Sequence, residues 1–348
     1  MTIQAHFLEQ AVACEKMGSP FTARLCRMFA NNLTRRCKVS ECLLDWPGDS
    51  SNRGDSVPLR MAAALHALVL SGRATKLAAV YPPDNPRASD ADIWQAAEFA
   101  QLEQEDFILD WLKSPPQTNE TARNAALKAG FHQLAALTGK PLVLSEVGAS
   151  AGLNMNWDHY ALNVKGRVFG PRAANLVLTP KWHGELPPDA TPVVQGKQGC
   201  DIQPIDATDA DQQLRLLAYI WPDQPERAKR LKQAFACLAE HPVDLVKSDA
   251  LIWLQSRLRD IRLGAVHVIY HSVAWQYLDV KTRQTGEDMI NAAGHAATPD
   301  APLARLCMES DGGQSGAALT LQIWPDGRLQ NLGRADFHGR WVKWDGVG

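Results

Sequence analysis

The sequence predicts an α/β protein, with a mostly parallel sheet covered by helices on both faces and set behind a helical N-terminal domain. Three observations carry this prediction. Residues 1–137 place apolar side chains at helical spacing and contain no convincing strand. From residue 138 onward, short β-branched runs alternate with helical patterns, the signature of strands joined by crossover helices. The first of those runs ends in an acid and a glycine-rich turn, at the end of the strand where open α/β sheets bind ligands.

The elements follow in order. Phe7, Ala11, Cys14 and Met17 recur at helical steps, as do Phe21, Leu25, Met28 and Phe29. Met61–Leu70 is almost wholly apolar and too long for a buried strand, so a core helix is expected. Ile93, Ala97, Ala100, Phe107 and Trp111 predict one helix over about 90–112, between the turn segments Tyr81-Pro-Pro-Asp-Asn-Pro and Ser114-Pro-Pro-Gln. Asn119–Leu137 is the last helix of this domain, with Thr118 or Asn119 as its N-cap. The character changes at Gly139-Lys-Pro. Pro141–Val147 is the first strand, and further strands are expected at 193–202, 243–246, 266–270, 303–308 and 319–324. Helices are expected over 209–219 with 225–239, then 251–259 and 287–296. The turn Pro325-Asp-Gly-Arg joins 319–324 to 329–332 as an antiparallel hairpin, and 338–344 forms a final strand. Residues 161–192, rich in glycine, proline and polar residues, read as an insertion over the site.

Composition narrows the function. With 36 Lys+Arg against 38 Asp+Glu the net charge is −2, so nothing marks a surface for nucleic acid or an anionic membrane. No apolar run approaches the roughly 20 residues of a spanning helix. The start of the chain lacks the basic, then apolar pattern of a secretion signal. Seven cysteines suit reduced thiols in a cytoplasmic protein better than a disulfide framework. Cys37 and Cys42, with Cys14 and Cys26 upstream, are expected to be buried free thiols, and His267 and His271 share a strand without a third metal ligand in view.

The most informative segment is Leu142-Val-Leu-Ser-Glu146-Val-Gly148-Ala-Ser150-Ala-Gly152-Leu-Asn154. Glycines at a strand-to-helix turn let backbone approach a ligand, and the helix start offers N–H groups to it. An acid at the strand end can face a ligand's cationic part. E-x-G-x-x-x-G resembles the first motif of Rossmann-like S-adenosylmethionine-dependent methyltransferases. Asp201, closing the second strand, is then expected at the ribose hydroxyls, and Asp249, in the Ser-Asp-Ala turn after the third, at the adenine amino group. The fourth strand delivers His271 as a candidate general base, with Ser272, Trp275 and Tyr277 lining the acceptor side. Glu309, ending the next strand, is a further pocket acid.

The same turn also matches G-x-S-x-G, the nucleophile elbow of α/β-hydrolases, with Asp249 and His271 or His338 following Ser150 in triad order. Against that reading, a helical domain precedes the turn where a hydrolase has strands and an oxyanion loop. Glu146 would also set a negative charge near a developing oxyanion. A non-catalytic protein that only binds the ligand is the third alternative.

Several segments together resemble a family of uncharacterised bacterial proteins, domain of unknown function 2332: Glu146-Val-Gly-Ala-Ser-Ala-Gly-Leu-Asn, Gly199-Cys-Asp-Ile-Gln-Pro-Ile-Asp, Tyr219-Ile-Trp-Pro-Asp-Gln-Pro-Glu-Arg, His271-Ser with Gln276-Tyr-Leu, and His338-Gly-Arg-Trp. The resemblance spans most of the chain. It implies a Rossmann-like, methyltransferase-type domain over 138–348 behind the helical domain of 1–137, and it implies no substrate. The expected function is transfer of a methyl group from S-adenosylmethionine to a small-molecule acceptor. Glu146, Gly148, Ser150, Gly152, Asn154, Asp201 and Asp249 are expected to hold the cofactor, with His271 beside the acceptor.

Overall fold

A computed structural model describes residues 2–313 and 315–346. Seven helices come first: α1 (Ile3–Lys16), α2 (Pro20–Asn32), α3 (Lys38–Leu44), α4 (Val57–Leu70), α5 (Thr75–Ala78), α6 (Asp90–Glu103) and α7 (Glu105–Leu112). α8 (Asn124–Thr138) leads into β1 (Leu142–Val147). Then come β2 (Ala161–Val164), β3 (Arg167–Phe169), β4 (Val177–Leu178), β5 (Lys181–Gly184) and β6 (Val194–Asp201). α9 (Ala210–Ala218) and α10 (Pro225–Glu240) precede β7 (Asp244–Lys247), α11 (Ala250–Arg257), β8 (Val266–Ser272) and α12 (Val280–His295). The chain ends in β9 (Leu303–Glu309), β10 (Ala317–Trp324), β11 (Arg328–Ala335) and β12 (Trp341–Trp344).

Contacts divide the chain into two compact units, residues 1–118 with 208–231, and residues 119–207 with 232–348. The first unit is helical and built around α4, whose Val57, Met61, Ala64, Leu65 and Leu68 are fully buried. Ser19 caps α2 by accepting from Thr22 N–H, and Asp223 accepts from the Ser19 hydroxyl and Phe21 N–H, tying the segment that returns at 208–231 into this unit. The single helix expected over 90–112 is two. Gln104 breaks it with φ −123°, ψ 32°, and Ile108, Trp111 and Leu112 of α7 are buried in the same core as Ile93, Ala97 and Ala100 of α6. The first unit's opening segment ends at residue 118, before the boundary at 137 suggested by the sequence, and α8 belongs to the second unit.

The second unit holds a nine-stranded sheet of order β5-β12-β11-β10-β9-β8-β1-β6-β7. From β7 to β9 every neighbouring pair is parallel, while β9 to β12 form an antiparallel meander that includes the expected hairpin. The chain is therefore α/β with a mostly parallel sheet. The insertion between β1 and β6 supplies a small separate sheet, β3-β2-β4, and sends β5 to pair with β12. β1 is buried along its whole length, as an interior parallel strand must be. α8 covers one face, ending at left-handed Gly139 and pressing Gly130 against Leu306. α11 and α12 cover the other, over Val147, Cys200, Ile269, Leu303 and Trp324. Gly286 and Gly294 let α12 approach; a Cβ there would lie 2.6 Å from Trp275 and 2.4 Å from Trp324. No helix among the described residues is long and apolar enough to cross a membrane, and all seven cysteines are free.

Candidate functional site

β1 ends where the strand order turns back, with β6 on one side and β8 on the other, the switch point at which such sheets leave a crevice. Glu146 stands there, 1% exposed, in register with Gly199 and Tyr270. The Tyr270 hydroxyl donates to its carboxyl at 3.1 Å, and no cation lies within ion-pair distance among the described residues. Burial pushes its pKa up to about 8; the Tyr270 hydrogen bond and the charge of Arg123 oppose this only in part, and the charge of Asp201 adds to it.

The turn after β1 is closed on itself. Gly148 and Ala149 N–H both donate to the Cys200 carbonyl at 3.0 and 2.9 Å, and Gly152 N–H to Ala149 at 2.8 Å. Ser150 N–H donates to Asp201 Oδ2 at 2.8 Å and Leu153 N–H to Asn119 Oδ1 at 3.0 Å. These N–H groups, expected to meet a ligand, are occupied within the protein. The glycines serve close packing: a Cβ on Gly148 would come within 2.5 Å of Ala274, and one on Gly152 within 2.7 Å of Val243. Both have positive φ, +71° and +73°, which a side chain would strain further. A 3₁₀ segment, Leu153–His159, follows in place of an α-helix, and Asn154 accepts from the Asn124 amide at 3.0 Å, locking it to α8.

Ser150 is the exception. It is 7% exposed, holds φ +54°, and its hydroxyl oxygen has no hydrogen-bond partner among the described residues. No histidine among the described residues is hydrogen-bonded to it, so the relay that an elbow nucleophile needs is not formed here. Asp201 takes Ser150 N–H on one oxygen and Gln203 N–H on the other, at 2.8 and 2.9 Å, and so holds the turn; each oxygen keeps a second lone pair. Asp249 is exposed and caps α11, its Oδ1 accepting from Leu251 and Ile252 N–H at 2.9 and 3.2 Å. The structure therefore brings Glu146, Ser150, Asn154 and Asp201 around the turn and leaves Asp249 at a helix start.

His271 belongs to the other face of the sheet. Successive strand residues point to opposite sides. Tyr270 faces α8, where Phe131 meets its ring edge-on at 5.3 Å, and Glu146 is on that side with it. His271, 1% exposed, turns toward α11 and α12 and stacks on Trp275 at 4.8 Å. Its Nδ1 lies 2.8 Å from Glu309 Oε1, and its Nε2 lies 3.2 Å from Cys307 Sγ and 3.1 Å from Arg305 Nη2. Burial works against a charged imidazole here, but Cys307 and Glu309 outweigh it and raise the pKa to about 9. Burial likewise opposes a thiolate at Cys307, yet the charges of His271 and Arg305 bring its pKa below the ordinary value. Ser272 gives its carbonyl to Arg123 Nη1 at 3.0 Å, Val273 holds φ +52°, rare for a β-branched residue, and Tyr277 is 77% exposed.

Sequence reasoning found His271 and Glu309 but missed Cys307 and Arg305. The signal was present: Arg305-Leu-Cys307-Met-Glu309 alternates polar and apolar, which sets the three polar residues on one face of a strand. Pairing that face with His271 required the register of β8 on β9, where His271 lies opposite Cys307.

A family model described as an uncharacterized protein conserved in bacteria (DUF2332) matches residues 4–344. No curated protein and no solved structure matches the chain.

Proposed function

The chain belongs to this uncharacterised bacterial family, DUF2332, and from the geometry of its second unit we propose that the crevice at the end of β1 binds S-adenosylmethionine for methyl transfer to a small-molecule acceptor. The observation that carries the proposal is Glu146: a buried carboxyl at the switch point that forms no ion pair with any described residue. An acid in that setting is expensive to ionise until a cation reaches it. A ligand bearing an ammonium and a sulfonium supplies one. The unpartnered Ser150 hydroxyl and the second lone pairs of Asp201 add an acceptor-rich wall suited to ribose hydroxyls.

The residues fit the charged end of such a ligand better than its carboxylate, since the N–H groups of Gly148, Ala149, Ser150, Gly152 and Leu153 are already bonded. When bound, the cofactor supplies a methyl carbon activated by the sulfonium. The chain's own part is alignment: Glu146 fixes the cationic end, and Asp201 fixes both the turn and the sugar. Asp249 caps α11 and takes no part, and His271 faces away from the crevice, so no general base is assigned to it.

Isothermal calorimetry with S-adenosylmethionine and with S-adenosylhomocysteine tests this. Micromolar binding of either is expected, weakened at least tenfold by Glu146→Gln, a change that preserves shape and the Tyr270 contact. Absence of heat with both ligands overturns the reading.

A further inference from the structure

On the opposite face of the sheet, β8 and β9 assemble a constellation that the methyl-transfer reading leaves unused. Cys307 Sγ is 3.2 Å from His271 Nε2, and His271 Nδ1 is 2.8 Å from Glu309 Oε1. Glu309 is itself anchored by the N–H groups of Ala274 at 2.9 Å, Trp275 at 3.1 Å and Gln276 at 3.3 Å. A thiol, a base and a carboxylate that orients the base stand in line, each held by the next. Arg305 closes the group, its guanidinium 3.1 Å from His271 Nε2 and 4.8 Å over the Trp275 ring. The environment is cationic on the sulfur side, the setting in which thiols become reactive.

We propose that Cys307 is a peroxide-reactive thiol, with His271 as its proton partner and Glu309 and Arg305 as positioning residues. Size selects the reactant: Cys307 is 9% exposed and His271 1%, beneath Trp275, so a small hydroperoxide suits the site where a bulky acyl substrate does not. The thiol proton passes to His271 Nε2. The sulfur then attacks the terminal oxygen of the hydroperoxide; an S–O bond forms, the O–O bond breaks, and sulfur loses two electrons to become a sulfenic acid. The departing oxygen takes the proton back from His271 and leaves as an alcohol, or as water when the reactant is hydrogen peroxide. This centre does not depend on the ligand reading above.

The experiment is hydrogen peroxide treatment of the whole folded protein at pH 6.5, stopped by transfer into denaturant containing dimedone, which traps sulfenic acid once the site is opened, followed by peptide mass spectrometry of all seven cysteines. Cys307 should be labelled at least tenfold faster than Cys200 and Cys237, which burial keeps protonated, and faster than half-buried Cys37 and Cys42. His271→Asn and Glu309→Gln should each slow Cys307 labelling at least tenfold. The wild-type protein carries an independent readout, the pH profile of Cys307 alkylation by iodoacetamide, whose midpoint should lie below the roughly 8.5 of an ordinary thiol. No label on Cys307, an ordinary midpoint, or an unchanged rate in a natively folded His271→Asn overturns the proposal.

Discussion

Glu146 concentrates the chemistry of the crevice in one side chain. Its folded pKa of about 8 exceeds the ordinary 4.5, so between those values the folded state binds more protons than the unfolded one. Stability contributed by this group is therefore complete at low pH and is lost as pH rises through that window, by an amount on the order of a few kcal/mol. Urea denaturation of wild type and Glu146→Gln from pH 5 to pH 9 should show two curves that diverge upward in pH, with the variant the more stable at the alkaline end. Parallel curves would mean that the carboxylate is already compensated in the empty protein. An acid in this place was readable from Leu142-Val-Leu-Ser-Glu146-Val, because a strand end before a glycine turn is where a ligand meets the sheet. Its protonation was not, since that depends on Tyr270 and the α8 face, supplied from far along the chain.

At the scale of elements, the three acids expected to converge have separate tasks. Asp201 ties β6 to the glycine turn, whereas Asp249 satisfies the first N–H groups of α11. Removing that cap with Asp249→Ala should cost about 1 kcal/mol, measured by chemical denaturation, and leave S-adenosylmethionine affinity unchanged. A large loss of affinity without loss of stability would return Asp249 to the binding site. The break between α6 and α7 follows the same logic. Helical periodicity over 90–112 was real and both halves are buried in one core, but the pattern does not disclose the non-helical backbone of Gln104 at which the helix divides. A periodic pattern reports local structure; it does not report which neighbour the apolar face will meet.

Across the whole molecule, protection from solvent follows the sheet order. β1 and β8 are buried at every position and lie between parallel neighbours, while β5 and β7 form the two edges and are largely uncovered. Amide hydrogen exchange should accordingly be slowest in Leu142–Val147 and Val266–Ser272 and fastest in Lys181–Gly184 among the strands. Equal protection across the sheet would contradict the order. What the sequence determined alone is the alternation of strands and helices after residue 138, the strand-free helical region before it and the glycine turn after the first strand, because periodicity, proline and glycine act over a few residues. Tertiary structure decided which side chains share a face. It sent Glu146 and His271 to opposite sides of one sheet, directed the turn's N–H groups inward, and set Cys307 against His271. Each of those outcomes depends on register between strands distant in sequence, and no local pattern encodes register.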